Sequence, residues 1–266
     1  MSASPGRPSP LLVTRGLSKS FGGLQAVSGL DLEVFAGEIL GVIGPNGAGK
    51  STTFNMIAGA LAPTAGSIEF AGEPLAGLPT HAMAGRGILR TFQHNKPFHS
   101  MSVRENIMLG MHTRLHMPLW QVLARTRASQ LAEQEAVRAA DDLITFVGLD
   151  QTRRAEVGTL SFGQGRLLEI ARALAAKPRL MLFDEPAAGL TAAECERVAQ
   201  IIRGIAARGI AVLLIEHDMR FLMALAHRVV VLNFGRAIAQ GTPEQVQSDA
   251  QVVAAYLGKL GAPAHA

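Results

Sequence analysis

The sequence predicts an α/β domain: a parallel sheet covered by helices, a small antiparallel β region at its N-terminal side, and a helical insertion. A glycine-rich loop stands between an apolar strand and a helix near residue 44, and from residue 179 onward short apolar runs alternate with helical patterns. The stretch between these two regions is rich in helix formers. The chain has 266 residues, 48% hydrophobic and 17% charged, which suits one large domain carrying an inserted subdomain.

Residues 1–10 are rich in Pro and Ser, lack an apolar core, and read as a disordered lead-in. Residues 11–75 alternate short strand patterns with breakers at Gly22-Gly23, Ala36-Gly37 and Pro63–Gly66. Ile39–Ile43 is an apolar run that reads as a buried parallel strand, and Ser51–Ala58 reads as a helix stopped at Gly59. Between them, Gly44-Pro45-Asn46-Gly47-Ala48-Gly49-Lys50-Ser51 fits G-x-x-x-x-G-K-[ST]. A strand that turns through glycines into a helix aims backbone N–H groups and a positive dipole end at an anion. Gly44, Gly47 and Gly49 let the backbone approach phosphate, Lys50 reaches β- and γ-phosphates, and the Ser51 hydroxyl can ligate Mg²⁺.

Residues 97–175 read as a mostly helical insertion, with Arg125–Val147 as its most regular helix. Leu160–Arg166 precedes a helix over Leu167–Ala176, stopped by Lys177-Pro178. Ser161 and Gly163 at that helix start make a second anion site, or Ser161 is simply an N-cap. One triphosphate on one loop needs only one such start, so the second points to a nucleotide held by another subunit. Arg179–Phe183 reads as a buried strand ending in Asp184 and Glu185. There Asp184 can hold Mg²⁺ beside the phosphate loop, and Glu185 can polarise water against a γ-phosphate. A helix follows to Arg208, opened by the capping box Thr191–Glu194. Then come the strand Ile210–Ile215, a short helix, and the strand Val229–Asn233. Residues 259–266 read as a flexible tail, which leaves 11–258 as the single domain.

Net charge is +4 with no dense Lys/Arg run, which does not specify nucleic acid as a partner. The single cysteine, Cys195, excludes an intramolecular disulfide and reads as an inert thiol in a helix. No apolar stretch approaches the roughly 18–20 residues that span a bilayer, so a soluble or peripheral protein is expected. His112 and His116 are four apart but have no third ligand in the pattern, and exposed histidines are expected there.

Taken together, these motifs resemble the nucleotide-binding subunit of ATP-binding cassette (ABC) transporters, over about residues 11–258. Gly44–Ser51 resembles Walker A, Leu180–Glu185 resembles Walker B, and Leu160–Arg166 resembles the LSGGQ signature. Gln93, in Arg90-Thr91-Phe92-Gln93, matches the Q-loop, and His217 matches the switch histidine after a strand. Phe21 matches the aromatic that stacks on adenine. The resemblance implies a P-loop NTPase fold and ATP with Mg²⁺ as cofactors. ATP would be bound by Phe21 and by Gly44 to Thr52 (including Pro45, Asn46, Ala48 and Thr52), while Ser161, Gly163 and Gln164 would touch the ATP held by the partner ATPase subunit. Ser51, Gln93 and Asp184 would hold Mg²⁺, with Glu185, His217 and Gln93 as the catalytic groups.

A narrower likeness joins Arg90–Gln93, Glu169–Leu174, Glu185–Leu190, Leu214–Met219 and Gly241–Glu244 to the G-type ATPase of branched-chain amino-acid importers. It implies a distinct F-type ATPase as partner, two membrane permeases, a periplasmic solute receptor acting indirectly, and a peripheral place on the cytoplasmic face of the inner membrane. Similar motifs serve importers of urea, amides and aromatic acids, and lipopolysaccharide-type exporters. Soluble relatives acting on ribosomes or DNA carry two cassettes or a long coiled coil, unlike this chain. The chain departs from the family pattern at Phe162, at Gly165, which weakens a helix by up to about 1 kcal/mol, and at Thr191, where many relatives have an aspartate.

Overall fold

The computed structural model describes residues 9–75, 77–91, 97–111 and 127–257, without the side chains of 127–129 and 256–257. The chain begins with a long hairpin, β1 (Leu12–Phe21) and β2 (Leu24–Val34), turned by Gly22-Gly23. These strands have ten and eleven residues, longer than the short strands the breakers suggest, and three irregularities in their register let them continue. β3 (Ile39–Ile43) follows, then α1 (Lys50–Ile57), β4 (Ala65–Phe70), β5 (Glu73–Pro74), α2 (Thr80–Arg86) and β6 (Ile88–Arg90). Next come α3 (Val103–Gly110), α4 (Arg127–Val147) and α5 (Phe162–Ala175), then β7 (Leu180–Asp184), α6 (Ala192–Ala207), β8 (Ala211–Ile215) and α7 (Met219–Leu225). The described chain closes with β9 (Arg228–Asn233), β10 (Arg236–Gly241), α8 (Pro243–Ser248) and α9 (Ala250–Leu257).

Two sheets result. β2-β1-β4-β5 is antiparallel, and β10-β9-β3-β8-β7-β6 is parallel except for the edge pair β9–β10. The central strands are apolar along almost their whole length because both faces of the parallel sheet are covered. Alternate residues divide between two cores. Ile39, Ile43, Met181, Phe183, Val212 and Leu214 join α3 to α7 on one face. Leu40, Val42, Leu182 and Leu213 meet Phe54 and Ile57 of α1, and the antiparallel sheet, on the other.

The described residues between β6 and β7 form three helices and two short 3₁₀ turns. The Ser102–Glu105 capping box starts α3, and Arg104 grips Asp141 of α4 through Nε and Nη2 at 2.8 and 3.1 Å. α5 starts at Phe162, five residues before the sequence pattern suggests. A reciprocal Ser161–Gln164 capping box satisfies its first N–H groups, and the helix passes through Gly165 unbroken. Thr191 and Glu194 form the expected capping box of α6. β10, α8 and α9 extend the fold beyond the elements read from the sequence. Thr242-Pro243 with Gln245 supplies both the cap and the N1 proline of α8.

Candidate functional site

The carboxyl ends of β3, β7 and β8 lie side by side, because Val42 pairs with Ile215 and Asp184 pairs with Ile215 in the parallel ladders. Three loops therefore open at one edge of the sheet, where α/β proteins place their ligands. They bound a cleft of about 280 Å³ walled by Gly44–Asn46, Lys50, Glu185, Glu216, His217 and Ala255. The phosphate loop, the carboxylate after β7 and the histidine after β8 thus share one cavity.

The loop is shaped by contacts within the protein as much as by room for an anion. A Cβ at Gly44 (φ 153°) would lie 2.1 Å from the Leu232 carbonyl oxygen, and one at Gly49 (φ 99°) would lie 2.5 Å from that of Ala26. Both positions therefore exclude any side chain before phosphate enters. Ala48 is buried, Asn46 and Gly47 are exposed, and Ser51 is exposed on the first turn of α1 with Thr52 half-buried beside it. Lys50 curls over the loop, its Nζ donating to the carbonyls of Gly44 at 2.7 Å and Pro45 at 3.0 Å. Lys50 thus sets an ammonium at the loop, beside the N-terminus of α1, where an anion is favoured.

Glu185 follows β7 in a left-handed conformation (φ 50°), which costs a non-glycine residue about 1 kcal/mol or more. Its N–H donates to the Ile215 carbonyl at 2.9 Å, which fixes the turn against β8. The exposed His217 places Nδ1 3.6 Å from Glu185 Oε2. Asp184 is bound differently. Arg90 Nη2 donates to its Oδ2 at 2.6 Å while Nη1 reaches Asn55 Oδ1 on α1 at 2.7 Å. Both members of this ion pair are mostly out of water. Arg90 thereby ties strand β6, the phosphate-loop helix and the end of β7 together, a role its sequence position does not reveal. Oxygen donors of this kind, the Ser51 hydroxyl and the second Asp184 oxygen, fit a Mg²⁺ whose other ligands are phosphate and water.

Phe21 lies at the β1–β2 tip, 48% exposed, with Lys19 Nζ 5.3 Å from the ring centroid. An exposed ring beside a cation is the kind of surface on which a base stacks, the role expected of Phe21. Phe21→Ala is expected to weaken ATP binding about fivefold, the worth of one stacking contact. Titration with a fluorescent ATP analogue reads it, and an unchanged affinity would remove Phe21 from the site.

Ser161, Gly163 and Gln164 do not wall this cleft. Ser161 is exposed at the start of α5, its hydroxyl and N–H engaged with Gln164. Gly163 is buried, and a Cβ there would meet Glu194 Oε1 of α6 at 2.1 Å. Gln93, His112 and His116 lie outside the described residues. Cys195 is half-buried with Sγ near the Ala187 and Leu190 carbonyls, and burial pushes its thiol up, away from the thiolate.

A family model described as ABC transporter matches residues 27–188, and one described as branched-chain amino acid ATP-binding cassette transporter matches 238–260. The chain is similar to the high-affinity branched-chain amino acid transport ATP-binding protein BraF of Pseudomonas aeruginosa, with 41% identity over 94% of this chain and 98% of that protein. The corresponding protein LivG of Escherichia coli K12 is 39% identical over the same shares. The lipopolysaccharide export system ATP-binding protein LptB of Haemophilus influenzae is 36% identical, also over 94% and 98%. Among solved structures, the ADP conformation of an ATP-binding cassette of an ABC transporter superposes with a TM-score of 0.81 at 31% identity, covering 94% of this chain and all of that one.

Proposed function

Because this chain belongs to the ABC transporter ATPases, we propose that it powers an importer of branched-chain amino acids or a related small solute, working as one of two ATPase subunits. It is an ATP-binding, ATP-hydrolysing subunit of a membrane transporter. The observation that carries the mechanism is the single cleft joining the phosphate loop, Glu185 and His217. Lys50 and the loop N–H groups hold the β- and γ-phosphates. Ser51, Asp184 and Gln93 would hold Mg²⁺, which would supply charge neutralisation at these phosphates. Glu185 accepts a proton from the attacking water, and His217, beside it, senses the γ-phosphate. Such phosphoryl transfer rests on positioning and electrostatics, so losing one group can leave binding intact.

Two features support the solute assignment. The likeness to BraF and LivG runs along nearly the whole chain at higher identity than to LptB. The C-terminal match at 238–260 takes in the end of β10 with α8 and α9, and Ala255 of α9 walls the cleft. Among the described residues no helix is long and apolar enough to cross a membrane. The likeness to BraF and LivG supports a peripheral place on the cytoplasmic face, against two permeases that take solute from a periplasmic receptor.

The isolated chain is expected to be mainly monomeric with feeble ATPase activity, because it offers half of each composite site. Co-expression with a second, F-type ATPase and both permeases should restore activity and yield one complex of four different chains. Native mass measurement of that complex tests the reading. Two copies of this chain without a second ATPase would favour a homodimeric system such as a lipopolysaccharide-type exporter.

A further inference from the structure

Glu216 follows β8, a strand with no exposed residue, and stays 2% exposed while its neighbours His217 and Asp218 are exposed. A carboxylate out of water must be met by donors. Here Oε1 accepts the Ala187 N–H at 2.8 Å and Oε2 accepts the His217 N–H at 3.2 Å. Burial pushes the Glu216 carboxyl above the usual range, and these N–H groups with His217 draw it back.

The donors come from two different loops. Ala187 lies in the turn after Glu185, where the Ala188 N–H also returns to the Glu185 carbonyl at 3.2 Å. His217 lies in the turn after β8, with Nδ1 3.7 Å from Glu216 Oε2 and 3.6 Å from Glu185 Oε2. One buried side chain therefore clamps the strained turn that aims Glu185 to the turn that carries His217. We propose that Glu216 is a positioning residue for hydrolysis, holding Glu185 and His217 in mutual register across the cleft; this rests on the roles given to Glu185 and His217 above.

The chemistry explains why a carboxylate stands here. Two N–H donors from separate loops meet two acceptor oxygens. Glutamine offers one oxygen and turns an NH₂ donor toward the other N–H, so one clamp bond becomes a donor–donor contact. Alanine leaves both donors without this acceptor.

The test uses Glu216→Gln and Glu216→Ala in the assembled transporter, with Glu185→Gln alongside. The Glu216 variants are expected to lose about tenfold or more in kcat, the equivalent of one buried donor left unmet. KM for ATP should change less than about threefold, since the phosphate loop is intact. In the nucleotide-free isolated chain, amide exchange at Ala187 and His217 should quicken by at least about tenfold in Glu216→Gln, with Leu182 and Leu213 in the neighbouring strands unchanged. Glu216→Gln keeps the side-chain volume, so it carries the test should the alanine variant fail to fold. Wild-type kcat beside a merely lowered Tm, or unchanged exchange at both amides, overturns the positioning role. Full turnover in Glu185→Gln fails the reading of Glu185 itself, whereas its loss beside full kcat in Glu216→Gln overturns this inference alone.

Discussion

Glu185→Gln is expected to bind ATP and hydrolyse it about 10²-fold more slowly or worse, because glutamine keeps the volume but loses the charge and basicity a general base needs. The backbone around residue 185 should survive the change. Its left-handed φ and the N–H to Ile215 bond do not involve the side chain, and the carboxyl group is about half exposed. Lys50 and the loop, to which the proposed mechanism assigns the triphosphate, are contributed by other elements, so affinity should persist. Steady-state ATPase of the assembled transporter, with ATP binding measured in parallel, checks both halves of the expectation. Turnover near that of the wild type would remove Glu185 from the reaction.

The parts of the site visible in the sequence are those whose chemistry is local. Gly44–Ser51 declares itself because loop, lysine and hydroxyl must be contiguous to wrap a phosphate chain. Asp184 and Glu185 stand out because acids at the end of a wholly apolar run have few structural reasons to be there. What stayed hidden depends on residues far apart in the chain. Arg90 meets an aspartate 94 positions away and an asparagine 35 away, and nothing near it in sequence announces either partner. Glu216 looks like an incidental acid before a histidine until Ala187, 29 residues upstream, is found against it. The glycines at 44 and 49 were legible as glycines, but the carbonyls of Leu232 and Ala26 that require them are contributed by other strands. The start of α5 was misplaced for a related reason. Glycines at 163 and 165 argue against helix, yet the Ser161–Gln164 box and close packing on Glu194 set the helix there.

Ser161→Arg is expected to leave ATP binding to the isolated chain intact while cutting hydrolysis in the assembled transporter by about 10²-fold or more, the scale of losing preorganised donors at a developing charge. Ser161 caps a fourteen-residue helix whose N-terminus is exposed, a ready anion site, yet it takes no part in walling the cleft that holds Lys50 and Glu185. A helix start of this kind, outside the walls of the cleft, makes sense when it completes a nucleotide site on a partner subunit. Arginine there would put a long side chain into that junction. It would also remove the cap, which alone is worth about 1 kcal/mol of stability. Ser161→Ala separates the two effects, since it loses the hydroxyl cap without obstructing the partner, and its activity should fall far less. ATP affinity of the single chain and ATPase of the complex are measured for both variants. Loss of affinity in the isolated Ser161→Arg chain would place Ser161 in its own subunit's site and reject the composite arrangement.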